Sequence, residues 1–158
     1  MCQKRRDICV VLTHPHYYNM KTRFIDIPHF GDHRGDLSVV EAMKDIPFEV
    51  KRVFWNYNVP EGKSRGAHAH KQLRQLLIAI GGSFTVNVDD GIENKSFLLD
   101  NPYKGLLVEA GEWSSEDYFS PGAVCLVLCD DHYDENDYIR NYDDFKQWVK
   151  NRLTNSNN

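Results

Sequence analysis

GKSRGAHAHKQLRQLLIAIGG, from Gly62 to Gly82, is the stretch that decides how this chain folds. It carries two histidines, His68 and His70, and closes on an apolar run, Gln75 to Ile80, that stops at Gly81-Gly82. Residues two apart on a strand point to one face of a sheet. His68 and His70 therefore project together, and on the inner wall of a barrel both imidazoles enter one cavity. Histidine titrates nearest neutrality, so it both takes and returns protons. The pair reads as an acid–base centre, against the plainer reading of two solvated histidines on a sheet edge.

Outward from this stretch, short apolar runs alternate with turn residues. RFIDI (23–27) alternates and ends at Pro28, and LSVVEA (37–42) follows the turn-like GDHRGD (31–36). FEVKRVFWNYNV (48–59) is long, aromatic and β-branched. SFTVNVDDG (83–91) alternates and ends in Asp90-Gly91, a hairpin signal. KSFLLDN (95–101), GLLVEAGEW (105–113) and AVCLVLCDD (123–131) complete the series. Turns at spacings of roughly 8–12 residues predict an all-β sandwich or barrel. One helix is predicted in YDDFKQWVKNRL (142–153), where Tyr142, Phe145, Trp148 and Val149 recur at helical spacing. Asp143 and Asp144 near its start and Lys150 and Arg152 near its end complement the macrodipole. The expected organisation is an N-terminal extension over 1–20, one β domain with its closing helix over 21–150, and a disordered polar tail over 151–158.

A length of 158 residues suits one domain, and 41% hydrophobic with 27% charged residues is an ordinary soluble composition. The net charge of −4 argues against general nucleic-acid binding. ICVVL (8–12), preceded by Lys4, Arg5 and Arg6, is too short to span a membrane. Residues 1–19 read as a leader ahead of a second start at Met20. Cys2, Cys9, Cys125 and Cys129 form no CxxC pair, no zinc motif and no disulfide framework, which suits a reducing cytoplasm.

Three arginines offer anion contacts: Arg34 in the HRGD turn, Arg52 on a strand, and Arg65 three residues before His68. Arginine grips phosphate bidentately, although each alone is more often a surface charge. Phe54, Trp55 and Tyr57 offer faces for stacking on a base or sugar, with core packing as the default. DDHYDENDYIRNYDDF (130–145) lacks the central glycine of a calcium loop and reads as a polar connector, with Tyr133 and Asp134 placed at a cavity mouth.

The spacing of Gly62, His68, His70 and Gly82 also resembles the first cupin motif, G-x5-H-x-H-x3,4-E-x6-G, with Gln75 in place of the glutamate. In EAGEWS (109–114), Gly111 fits the second motif, and Ser114 stands where its histidine falls. Two histidines with an amide and a hydroxyl make a weak divalent site. The resemblance therefore implies a cupin-type double-stranded β-helix, a jelly-roll barrel, without a catalytic metal, and it leaves the histidines free for proton transfer.

GDHRGDLSVVEAMKDIPFEVKRVFW, SRGAHAHKQLRQ and DDHYDENDYIRNYDDF together resemble the dTDP-4-oxo-6-deoxyglucose 3,4-ketoisomerases, the WxcM-like group of sugar-nucleotide cupins, over about 24–149. That resemblance implies a homodimer of small barrels that exchange N-terminal strands, a dTDP-linked 4-keto-6-deoxy sugar as substrate, and no cofactor. The ketone moves from C4 to C3 through an enediol, and the product feeds a transaminase for a surface glycan. His68 and His70 are then catalytic, with His70 as the base at C3 and His68 as its polarising or relaying partner. Arg34, Arg52 and Arg65 hold the diphosphate or shape the sugar pocket, with Gln75, Ser114, Tyr133 and Asp134 also at the substrate. The family's pattern carries His or Arg after the tryptophan, where this chain has Ser114 within the divergent SSEDY (114–118). The motif thus leaves the acid that finishes the reaction unnamed. The competing functions are a 3,5-epimerase, a non-catalytic nucleotide-sugar module and a metal-dependent oxygenase.

Overall fold

The computed structural model describes residues 19–155. All but the last two residues of the expected extension, and residues 156–158, lie outside them. Met20, the last residue of that extension, packs into the core. In chain order the strands are β1 (Arg23–Asp26), β2 (His29–Asp32), β3 (Gly35–Ser38), β4 (Arg52–Tyr57), β5 (Arg65–His70) and β6 (Gln75–Gly81). Then come β7 (Phe84–Asp89), β8 (Asn94–Leu99), β9 (Lys104–Val108), β10 (Trp113–Asp117), β11 (Val124–Cys129), β12 (Tyr138–Ile139) and the helix α1 (Tyr142–Asn155). Two five-stranded antiparallel sheets, β1-β9-β6-β11-β4 and β12-β5-β10-β7-β8, make the jelly-roll barrel, and β2 pairs only with β3 in a separate hairpin.

Period-two patterning builds the core between the sheets. Phe84, Val86 and Val88 alternate inward along β7 and meet Leu77, Leu106 and Val127 of the other sheet. Each such side chain contributes about 1.5–3 kcal/mol when fully buried. The unbroken apolar run on β6 has a different cause, since both of its faces are covered. Leu77 and Ala79 enter the inter-sheet core, while Leu76 and Ile78 pack outward on Ile27, Ile46 and Phe48. The hairpin expected at Asp90-Gly91 joins β7 to β8 by a loop over 90–93. The Asp90 carboxylate accepts the amides of Ile92 at 2.8 Å and Glu93 at 2.9 Å. Gly82, at φ +60, turns β6 into β7 where a Cβ would stand 2.8 Å from Ala123 Cα.

α1 starts where the Asn141 side chain accepts the amides of Asp143 and Asp144 at 2.9 and 3.0 Å, an N-cap. Phe145 and Val149 are buried against Ala69 and Ile139, with Trp113, Trp148 and Leu153 packed around them. Leu153 extends the i, i+4 stripe begun by Phe145 and Val149, so the helix continues to Asn155 across the expected start of the tail at 151. Its docking also positions the site. Ala69 faces the helix, so the residues on either side of it, His68 and His70, face the barrel interior. No helix among the described residues is long and apolar enough to cross a membrane.

Candidate active site

A cavity of about 270 Å³ opens between the sheets, walled by Phe54, Asn56, His68, Gln75, Tyr138 and Arg140. Arg65, Gly66 and Glu116 complete its lining. His68 belongs to this wall, and His70 sits behind it. His70 Nδ1 donates to Asp137 Oδ2 at 2.9 Å, and its side chain is only 6% exposed. The Nε2 atoms of the two histidines are 3.1 Å apart, and the Gln75 amide nitrogen lies 3.3 Å from His70 Nε2. With its Nδ1 proton committed to Asp137, neutral His70 keeps a lone pair at Nε2. Nε2–H of His68 donates to that lone pair, which leaves His68 Nδ1 as the free base. The result is a relay, Asp137 to His70 to His68.

Tyr138 lies cross-strand from His70 in the β12–β5 pairing, and its ring centroid is 4.3 Å from the His70 ring and 4.8 Å from the His68 ring. Arg52 reaches the Tyr138 hydroxyl at 3.3 Å and Cys129 Sγ at 3.6 Å. The Arg140 guanidinium covers the Tyr138 ring at 4.3 Å. Burial, then the neighbouring His70 and the charges of Arg140 and Arg52, pushes the His68 imidazole down to about 4. Burial also lowers His70, against the opposing pull of Asp137. Both rings are thus neutral at pH 7 and able to accept a proton. Among the described residues, no cluster of three or more His, Cys, Asp or Glu side chains is placed to hold a metal ion.

The structure gathers His68, His70, Arg52, Arg65 and Gln75 around this cavity. Ser114 is buried directly across from His68 on β10. Tyr133 is exposed, but its ring lies 5.4 Å from Tyr138 and beneath Arg52. Asp134 is placed elsewhere: it caps a 3-10 turn by accepting the Asn136 amide at 2.9 Å. Arg34 sits on the β2–β3 hairpin, ion-paired with Asp32 at 2.5 Å, away from the cavity of its own chain. Of the three aromatics on β4, Phe54 lines the cavity, while Trp55 and Tyr57 point outward and are exposed. Sequence reasoning missed Asp137, Tyr138, Arg140 and Glu116. The last was within reach, because residue i+2 from Ser114 on a strand shares its face.

The family whose model matches this chain is FdtA (WxcM-like, C-terminal), over residues 20–150. A TDP-4-oxo-6-deoxy-alpha-D-glucose-3,4-oxoisomerase of Aneurinibacillus thermoaerophilus is 41% identical over 130 residues, covering 82% of this chain and 94% of that protein. A crystal structure of a 3,4-ketoisomerase from Helicobacter canadensis is 41% identical, with a TM-score of 0.81 over 84% of this chain and 99% of that one. QdtA, a sugar 3,4-ketoisomerase from Thermoanaerobacterium thermosaccharolyticum solved in complex with TDP, is 38% identical. Its TM-score is 0.82 over 86% of this chain and 98% of that one.

Proposed function

The chain belongs to the FdtA, WxcM-like family, and from that premise we propose that its cavity moves the ketone of a dTDP-4-oxo-6-deoxyhexose from C4 to C3. The observation that carries this reading is the Asp137–His70–His68 relay, which ends on the cavity wall. The hydrogen on C3 is acidified by the adjacent C4 carbonyl. A neutral imidazole removes it, an enediol forms, and a proton returns at C4. His68 is the base, because it lines the cavity. His70 orients it and shares the imidazolium charge with Asp137. This reverses the division of labour drawn from the motif, which cannot tell the inner histidine from the outer one. Arg65, Arg140 and Arg52 supply positive charge for the diphosphate. Bound there, the anion offsets the arginine charges that lower His68 and makes it a stronger base in the complex.

The test is an NMR time course with dTDP-4-keto-6-deoxyglucose in heavy water. The expected result is a ketone that has moved to C3 with deuterium at C4 of the product, and deuterium at C3 of the recovered substrate. Deuterium at C5 with the ketone unmoved would convert the reading to a 3,5-epimerase. Tight TDP binding with no exchange would leave a non-catalytic module.

A homodimer fits this chain for a separate reason. β4 is an edge strand, and its outward residues Val53, Trp55 and Tyr57 are 48, 56 and 58% exposed. Uncovered apolar edges invite pairing. The β2–β3 hairpin carries Phe30 and Leu37, 64 and 63% exposed. β1 is paired with β9 of its own chain, so among the described residues this hairpin is the N-terminal element left to exchange, and exchange would carry Arg34 toward the partner. In solution Trp55→Glu is expected to convert a dimer into a monomer by light scattering. A wild-type protein that is itself monomeric would end the proposal. The buried free thiols Cys125 and Cys129 and a nucleotide-sugar substrate support a cytoplasmic site of action.

A further inference from the structure

Glu116 has no part in the scheme above, yet its side chain lines the same cavity. The residue is 5% exposed, and its Oε2 has no hydrogen-bond partner. Both carboxyl oxygens lie against Gly66, at φ +68, where a Cβ would come within 2.5 Å of Oε1. Only glycine leaves room for the acid beside β5. The β5–β10 register shifts between Ser114, paired with His68, and Glu116, paired with Arg65, and across this bulge the carboxyl lies over Gly66 and lines the same cavity as His68. The ionisable groups around it are Arg65, His68, Tyr138 and Arg140 at the cavity, Asp117 beside it on β10, and Cys125 on the facing sheet. Burial, reinforced by Asp117 and opposed by Arg65, lifts the carboxyl to about 7. A buried acid with an unpaired oxygen is costly to fold around, so a purely structural position would favour an apolar side chain.

Resting on the ketoisomerase reading, we propose that Glu116 is the carboxyl that carries a proton between O4 and O3 of the sugar. As the histidine takes the C3 proton, the C3–H electrons form the C3=C4 bond, and the carbonyl π pair moves to O4. Glu116 gives its proton to O4, which leaves the enediol and a carboxylate. The carboxylate then takes the O3 proton as C3=O forms, and C4 takes a proton from the imidazolium. Glu116 ends neutral, as it began, and nothing is oxidised or reduced overall. The two oxygens of one carboxyl thereby serve both oxygens of the enediol.

The test is Glu116→Gln, which keeps the shape and removes the acid. Ketone migration is expected to fall by about 100-fold or more, while deuterium entry at C3 of recovered substrate falls less. Wild-type turnover is expected to decline as pH rises through about 7, where the acid ionises, and the variant loses that decline. Stability gives a second reading. The folded-state value is raised above the unfolded one, so the contribution is full at low pH and is lost as pH rises through about 7. Glu116→Gln should therefore raise the unfolding temperature relative to wild type at about pH 8 more than at about pH 5. A variant that binds TDP, turns over within about threefold of wild type and keeps the alkaline decline overturns the proposal. Should the variant fail to bind TDP, the wild-type profile decides, and undiminished turnover up to about pH 9 overturns it. A wild-type protein that neither exchanges C3 nor moves the ketone fails the functional reading instead.

Discussion

His68→Asn is expected to lower ketone migration and C3 exchange together by about 10²–10⁴-fold, the range for loss of a general base. TDP affinity should stay within a few-fold, because the diphosphate is held by arginines rather than by this ring. His68 lines the cavity, and its Nε2 is 3.1 Å from His70. Asparagine retains an amide that can donate to His70 Nε2, but it cannot accept a proton at neutral pH. The fall should therefore appear in kcat with little change in KM. Its free imidazole is depressed to about 4, so kcat/KM should hold as pH falls from about 7 and be lost only as the ring becomes protonated well below its usual range. The companion His70→Asn separates the two rings. As the orienting residue it should cost less than His68→Asn and should shift the acid limb of the profile. If His70→Asn abolishes exchange while His68→Asn preserves it, the base is His70.

How much of this was legible beforehand follows from what kind of interaction fixes each part. β7 announced itself because one of its faces is buried and the other is not. β6 did not show alternation, because Phe48 and Ile46 come from elsewhere in the chain to cover its second face. The histidine pair was legible from the spacing of two residues alone. Their order of depth was not, because it depends on Asp137, 67 residues away from His70, and on the short β12 pairing that brings Tyr138 across from His70. The tail motif drew attention to Tyr133 and Asp134, while the residues that touch the histidines lie a few positions on: Asp137 ends the 3-10 turn that Asp134 caps, and Tyr138 follows it. Arg34 reads as a phosphate ligand in the motif, but its hairpin pairs with neither sheet and the arginine is held by Asp32, a local arrangement that the motif does not reveal.

Asp137→Asn carries the other large expectation, and its comparison with Asp137→Ala is the sharper test. Asp137 Oδ1 accepts the Gln72 amide at 2.8 Å, and Oδ2 accepts His70 Nδ1–H and the Leu73 amide at 2.9 and 3.3 Å. It therefore holds the β5–β6 turn as well as the relay. An asparagine keeps its oxygen on the Gln72 amide and turns its NH2 toward His70. That amide donates to Nδ1, which forces the His70 proton onto Nε2. There it meets the Gln75 amide nitrogen, 3.3 Å away, and the Nε2–H of His68, donor against donor. The relay reverses, His68 must carry its proton on Nδ1, and the base is blocked. Turnover should fall by about 10²–10³-fold, in the range for a disabled acid–base group. Alanine removes both turn acceptors, at a cost of about 1–3 kcal/mol for each buried donor left unsatisfied. It leaves His70 free to choose its tautomer. The two variants should thus rank in opposite orders, asparagine the more stable and alanine the more active. A merely structural Asp137 would give the same ranking in both measurements, and that outcome would remove it from the relay.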